Sequence, residues 1–220
     1  MPTTRFTVAQ QLLEHIFQAE LEEGVTLPSE RELCRQFHVS RGVLRESLRL
    51  LEFQGLIAVR PGRGGGIQIR RPTVESVARD LALVVRWERT TLAEVIRARA
   101  MLEAMCVREL CRSCPPSRLR RLRHAAARRG TNPYDFSPYN RFHHVLVATA
   151  NNRVVTQLYR GLFRALYVHL KAAPELSDER HDASVRAHEA IVDAIEARDA
   201  DLAERLVSSH IESHRDYMTG

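Results

Sequence analysis

Between Phe6 and Ile69 the apolar positions follow first a helical period and then an alternating one. Val8, Leu12, Ile16 and Leu21 recur at near-helical spacing, which predicts an opening helix from about Phe6 to Glu23, stopped by Gly24. Ser29 follows Pro28 and precedes Glu32 with S-x-x-E spacing. This capping box satisfies two otherwise unpaired backbone donors and opens a short helix through about Gln36. His38-Val39-Ser40 then makes a turn, with His38 in a slot often filled by glycine; histidine tolerates left-handed backbone better than most side chains. Ser40 caps a further helix, Arg41 to about Gln54, whose stripe Val43, Leu44, Leu48 and Leu51 has helical spacing and which Gly55 ends. Beyond it the period drops to two. Leu56-Ile57-Ala58-Val59 and Ile67-Gln68-Ile69 are short alternating runs joined by Pro61-Gly62-Arg63-Gly64-Gly65-Gly66, a hairpin pattern with a glycine-rich tip.

Arg70-Arg71-Pro72 marks a boundary, because proline ends the strand and Thr73 is suited to cap a new helix. From Thr73 onward every segment has helical period and no β pattern occurs. Helices are predicted at about 74–88, 91–113, 116–129, 136–150, 152–172, 178–197 and 199–218. Breaks fall at Arg89-Thr90-Thr91, Cys114-Pro115-Pro116, Gly130-Thr131-Asn132-Pro133, Asn151-Asn152 and Ala173-Pro174. The expected fold class is mainly α: a winged helix-turn-helix domain over residues 1–72, then an antiparallel bundle of six or seven helices over 73–220. Any ligand site would lie between facing helices of the bundle.

The chain of 220 residues is long enough for two modest domains, each with its own core. Its formal charge of +6 favours a polyanionic partner, though the basic residues are spread along the chain. Nearly all of them are arginine, with Lys171 the single lysine. The N-terminus lacks a continuous apolar core with a cleavage site, and no apolar run is long enough to cross a bilayer, so a cytoplasmic protein without membrane partners is expected. Cys34, Cys106, Cys111 and Cys114 do not suggest a disulfide framework. Cys111 and Cys114 have C-x-x-C spacing, but no second pair completes a zinc site, which leaves buried or helix-end thiols as the ordinary reading.

The first domain carries its chemistry on one helix face and on the hairpin. Arg41 and Arg45 lie one turn apart near the start of the second helix of the pair, the end that a recognition helix presents to base edges. An arginine fork can bond O6 and N7 of guanine together, although a solvated basic face has the same appearance. Arg60 and Arg63 put charge beside glycines whose backbone amides can approach phosphates closely. With LPSEREL, VSRGVLRESLRLLEFQGLI and the G-R-G-G-G wing in order, residues 8 to 70 resemble the DNA-binding domain of the GntR family of bacterial transcription regulators. The resemblance implies DNA contacts at Arg31, Ser40, Arg41, Arg45, Gly62 and Arg63. Gly42 and Val43 stand where relatives often have hydroxyl side chains.

In the bundle, three histidines occupy positions that an amphipathic helix should bury. His143 shares its stripe with Tyr139, Leu146 and Ala150; His188 with Ile191, Val192 and Ile195; His210 with Leu206, Val207 and His214. Each alone reads as a satisfied core residue. Three on separate helices of one bundle point toward a shared site, since neutral imidazole is the commonest protein metal ligand. Arg99 lies in the stripe Val95, Arg99, Leu102, Cys106, so its charge must be paired, either by Glu103 one turn on or by a ligand carboxylate. Residues 74 to 218 resemble the all-helical effector domain of the FadR subfamily of that family. The matching pieces are Arg99 to Glu103, Phe142-His143 followed by Ala150-Asn151-Asn152, His188 to Ile195, and Ala203 to His210.

Many such relatives hold a divalent metal with one aspartate and three histidines, and the metal helps bind a small organic acid. The histidines map onto His143, His188 and His210, while Tyr139 stands at the aspartate position. A phenol with a pKa of about 10 is a poor anionic ligand at neutral pH. Asn140, the other oxygen nearby, is displaced around the helix. Two outcomes stay open: metal held by three histidines with water or effector, or an effector bound directly by Arg99, Tyr139, Asn140 and the histidines. Zinc, nickel, copper and iron all suit imidazole-rich sites. The function expected is a ligand-responsive transcription regulator, a homodimer on a pseudo-palindromic operator, released as a repressor by a small carboxylate. A metal-dependent enzyme is the alternative, against which no inward-facing aspartate or glutamate stands near these histidines in sequence as an obvious general base. A regulator with a purely structural metal is the third reading.

Overall fold

The computed structural model describes residues 4–60, 62, 65–127, 137–167 and 177–213, and the backbone alone at 75–76, 137–140 and 164–167. The chain divides into two compact units, Met1–Ser76 and Val77–Gly220.

The first unit contains α1 (Arg5–Gln18), α2 (Glu30–Gln36), α3 (Arg41–Phe53), β1 (Ile57–Arg60) and β2 (Gly66–Ile69). Each helix opens on an oxygen that meets an orphan backbone donor. Thr4 accepts from Thr7 N, Ser29 forms the full capping box with Glu32, and Ser40 accepts from Val43 N. His38 pivots the turn between α2 and α3 with φ 52°, and Val39 N–H reaches back to Cys34 O at 3.1 Å. Gly55 (φ 77°) ends α3 in the same way.

The opening helix is shorter than its apolar spacing predicts. It stops at Gln18, not near Glu23, because Glu20 takes up left-handed backbone (φ 46°) and Leu21 N–H bonds Ile16 O at 3.1 Å. Leu21 still packs on the core, but from the turn. A second difference lies before α2. Thr26 bridges Gln68, with Leu27 N–H to Ile67 O and Val25 O to Ile69 N–H both at 2.8 Å, so residues 25–27 flank β2 on the side away from β1. The β1–β2 hairpin is antiparallel with Ile57 opposite Ile69 and Val59 opposite Ile67. Gly66 is required where the strands meet this segment: a Cβ there would come within 2.9 Å of Thr26 Cγ2. Val8, Leu12, Ile16, Leu33, Leu44, Leu48, Leu51, Ile57, Ile67 and Ile69 form the core. Ser47 is buried among them, its hydroxyl 2.7 Å from Arg5 O and 2.9 Å from Val43 O, which ties α3 to the start of α1.

The second unit is helical throughout its described residues: α4 (Val74–Trp87, opening at the end of the first unit), α5 (Leu92–Arg112), α6 (Pro116–Ala126), α7 (Ser137–Thr149), α8 (Arg153–Tyr167), α9 (Asp178–Glu196) and α10 (Ala200–Ser213). These agree with the periodicity to within a few residues wherever they are described. α5 is the central helix, packed against α7, α8, α9 and α10. A Thr91–Glu94 capping box starts it, and its buried stripe runs Val95, Ile96, Arg99, Ala100, Glu103, Cys106, Val107, Leu110, Cys111. Ion pairs on the rim join neighbours: Arg108 to Asp201 and Glu204, and Arg123 to Asp193 and Glu196. Such exposed pairs orient helices more than they stabilise them. The four cysteines are free thiols. Burial, with Glu103 nearby, pushes Cys106 up to about 12, and Cys111 and Cys114 are raised mainly by burial. No helix among the described residues is long and apolar enough to cross a membrane.

Candidate functional site

In the first unit Arg31, Ser40, Arg41, Arg45, Arg60 and Gly62 are all exposed, with Arg63 outside the described residues. Arg41 and Arg45 occupy the first turns of α3, and Ser40 is its cap, so the polar end of that helix is open to solvent. Arg45 is not loose. Its Nε donates to both carboxylate oxygens of Glu30 on α2, at 3.0 and 3.2 Å. Glu30 thereby sets the direction in which the arginine leaves the helix, a partner that sequence reasoning missed because the two are joined only through the helix-turn-helix crossing.

In the second unit five helices converge on one buried polar cluster. His143 comes from α7, His188 from α9 and His210 from α10, each in the stripe its helix turns inward. One ligand nitrogen from each lies within 4.8 Å of the others, and His188 Nε2 is 2.9 Å from His210 Nε2. Phe142 stacks on the His188 ring with centroids 4.2 Å apart, and the His143 and His210 rings are nearly parallel, 5.2 Å apart. The three imidazoles expected together from sequence are therefore together. Tyr139 and Asn140 lie on the backbone of α7, but their side chains are outside the described residues.

The fold brings to the histidines an inward carboxylate from a distant part of the chain. Glu103 of α5, fully buried, reaches His143 Nδ1 with Oε2 at 2.5 Å. Its other oxygen, Oε1, accepts from Arg99 Nε at 2.8 Å and from the Tyr159 hydroxyl of α8 at 2.8 Å. The separation of Glu103 from His143 along the chain hid the contact; the legible signal was its spacing one turn from Arg99 on a buried stripe. Of the two partners foreseen for Arg99, Glu103 is the one in place. Arg99 is 3% exposed and its guanidinium also lies over the Phe163 ring at 5.3 Å. Tyr159, Phe163 and His144 belong to the same neighbourhood and were not singled out by sequence, although Val155, Tyr159 and Phe163 share a helical stripe.

Burial fixes the protonation of this cluster. It holds His143 and His188 well below the ordinary histidine range and His210 down to about 4, with the Arg99 charge adding to the depression in each. His144 is likewise lowered to about 4 by burial, then by Arg99. Burial raises Tyr159 well above its usual value, so it remains a phenol and a donor. The three imidazoles are thus neutral, the form that binds metal. Zinc bonds of about 2.0–2.1 Å in tetrahedral array set nitrogens about 3.3 Å apart. The observed donors bracket that separation, so His143, His188 and His210 fit a divalent ion with small side-chain shifts.

Comparison with known proteins gives matches along both units. Residues 4–67 match the family described as bacterial regulatory proteins, gntR family, and residues 94–213 match the FCD domain. The HTH-type transcriptional repressor NanR of Cronobacter sakazakii is 29% identical over 214 residues, spanning 94% of this chain and 82% of that protein. The uncharacterized HTH-type transcriptional regulator YcbG of Bacillus subtilis is 32% identical over 219 residues, spanning 96% and 90%. The solved structure of Streptococcus agalactiae GntR has a TM-score of 0.72 at 21% identity, over 96% of this chain and 99% of that one, a likeness of fold.

Proposed function

This chain belongs to the gntR family of bacterial regulatory proteins and carries an FCD domain, a family of transcription regulators rather than enzymes, and on that premise we propose how it works. It is a ligand-responsive DNA-binding transcription regulator. The proposal is a repressor: a homodimer on a pseudo-palindromic operator, released when a small organic acid binds beside a divalent metal held by His143, His188 and His210. Arg31, Ser40, Arg41, Arg45, Arg60, Gly62 and Arg63 form the DNA face. One head of this size reaches few base pairs, so two half-sites related by a two-fold axis are needed for specificity. Leu83, Val84 and Trp87 of α4 and Met101 and Met105 of α5 are exposed in the single chain, apolar surface that a second copy would cover.

The observation that carries the effector half is the convergence of three buried imidazoles from three helices within 4.8 Å. Bound there, a metal would act as a Lewis-acidic cation for an oxyanion. The charge balance favours an acid: Arg99 and Glu103 offset one another and the histidines are neutral, so a divalent ion leaves the cluster with excess positive charge that an anion relieves. Arg99, Tyr139 and Asn140 complete the proposed effector contacts. A bound effector alters operator affinity only by favouring one arrangement of the two heads, and the coupling is reciprocal.

The test is operator binding by fluorescence anisotropy against a panel of small mono- and dicarboxylates. At least one should weaken binding roughly 5–150-fold, a coupling of about 1–3 kcal/mol, in wild type and not in His188→Ala. An equal effect in both proteins, or none across the panel, contradicts the reading.

A further inference from the structure

Glu103 has more to do than neutralise Arg99. Its carboxylate accepts three hydrogen bonds from three helices: Arg99 Nε within α5, the Tyr159 hydroxyl of α8 and His143 Nδ1 of α7, at 2.8, 2.8 and 2.5 Å. All four side chains are buried. The division of labour between its oxygens matters. Oε1 is held by Arg99 and Tyr159, which leaves Oε2 aimed at the imidazole and unable to swing away without breaking both. A carboxylate oxygen has no proton to give, so the proton between Oε2 and Nδ1 resides on the ring.

We propose that Glu103 is the positioning residue of the three-histidine site: it locks His143 as the Nδ1–H tautomer and so leaves Nε2 as the bare nitrogen offered to a metal alongside His188 and His210. The inference rests on the metal reading above for its last step, and on hydrogen-bond geometry alone for the tautomer. Histidine ligands elsewhere are commonly oriented by a carboxylate on the far ring nitrogen, which also makes the ligating nitrogen more basic.

Glu103→Gln discriminates this role from a merely structural one. Arg99 Nε–H and Tyr159 O–H both demand an acceptor, so the amide oxygen takes the Oε1 position and the amide NH2 faces His143 Nδ1. The ring must then accept at Nδ1 and carry its proton on Nε2, where it blocks a metal. The companion variant Arg99→Met/Glu103→Gln makes the same exchange while removing both buried charges, so it keeps the cluster electrically balanced and guards against a simple folding failure.

The experiment uses full-length, chelator-stripped protein with 15N-labelled histidine. Long-range 1H–15N correlation spectra should show His143 as Nδ1–H in wild type and Nε2–H in both variants. Competition of Zn2+ against a chelating dye should show roughly 10–100-fold weaker zinc binding in the folded double variant, the range typical of losing a ligand's orienting partner. His143 found as Nε2–H in wild type, or wild-type zinc affinity in the folded double variant, overturns the proposal. Wild-type protein that takes up no zinc overturns the metal reading beneath it, whereas Nδ1–H at His143 in that same sample still upholds Glu103 as its positioning group.

Discussion

Replacing Arg45 by alanine separates DNA reading from fold stability, because the structure places that arginine in an exposed ion pair. Its Nε sits 3.0 and 3.2 Å from the Glu30 carboxylate oxygens, with the two side chains 63% and 32% exposed. Pairs of this kind contribute about 0.2–1 kcal/mol. A bidentate arginine–guanine contact contributes about 1–3 kcal/mol of discrimination. Leaving Glu30 for a base edge is therefore affordable, and Arg45→Ala should lower the stability of the first unit by less than about 1 kcal/mol while weakening operator binding roughly 5–150-fold. Glu30→Gln, which frees the arginine, should tighten binding by no more than about fivefold, the equivalent of about 1 kcal/mol. If Arg63 makes the proposed phosphate contact, Arg63→Ala should weaken all sequences alike. The assay is anisotropy at fixed salt on an operator selected from random DNA, beside random duplex, with urea unfolding of each variant. Equal losses for Arg45→Ala on operator and random DNA would refute base reading by Arg45. A stability loss above about 2 kcal/mol would refute the surface-pair assignment.

Two further outcomes follow from the buried cluster. Glu103→Leu strands the Arg99 charge in the core and should destabilise the second unit by about 3–5 kcal/mol, most of which Arg99→Met/Glu103→Leu should restore; urea unfolding checks both. The histidines also give an acid limit. Their folded-state values lie below the unfolded value of about 6.5, so the unfolded chain binds more protons as pH falls, and their contribution is complete above about pH 6.5 and lost below it, for His210 on the way down to about 4. His210 alone accounts for roughly 3 kcal/mol across that window, so urea midpoints of metal-free protein should drop between pH 7 and pH 5 and be flat above pH 7.

Much of this molecule was legible in the sequence where local signals and tertiary structure agree. The Ser29–Glu32 and Ser40 caps, the left-handed His38 and the glycine-bounded hairpin are set by short-range chemistry, and they stand as read. The opening helix ends before its periodicity predicts because Glu20, a residue with no special liking for left-handed backbone, supplies the turn that Gly24 seemed to offer. Residues 25–27, Val-Thr-Leu, alternate over too short a stretch to read as a strand, and they pair along the open edge that β2 presents. In the bundle, helical period was enough to aim His143, His188 and His210 inward, and the packing of α7, α8, α9 and α10 on α5 brings them together. Periodicity does not say which buried side chains touch across helices. Glu103 was visible as a partner for Arg99 at one turn's spacing, but its bond to His143 depends on how α5 and α7 pack, and Tyr159 enters from a third helix for the same reason.

If His143, His188 and His210 form one metal-holding effector site, as proposed, zinc stoichiometry will show it. Full-length protein stripped with a chelator and titrated with Zn2+ against a competing dye should take up one ion per chain. His188→Ala should abolish that uptake, and Tyr139→Asp, by adding an anionic oxygen one turn before His143, should tighten it. No uptake in wild type and none in Tyr139→Asp would contradict the account and leave the three histidines as a packing feature of the core.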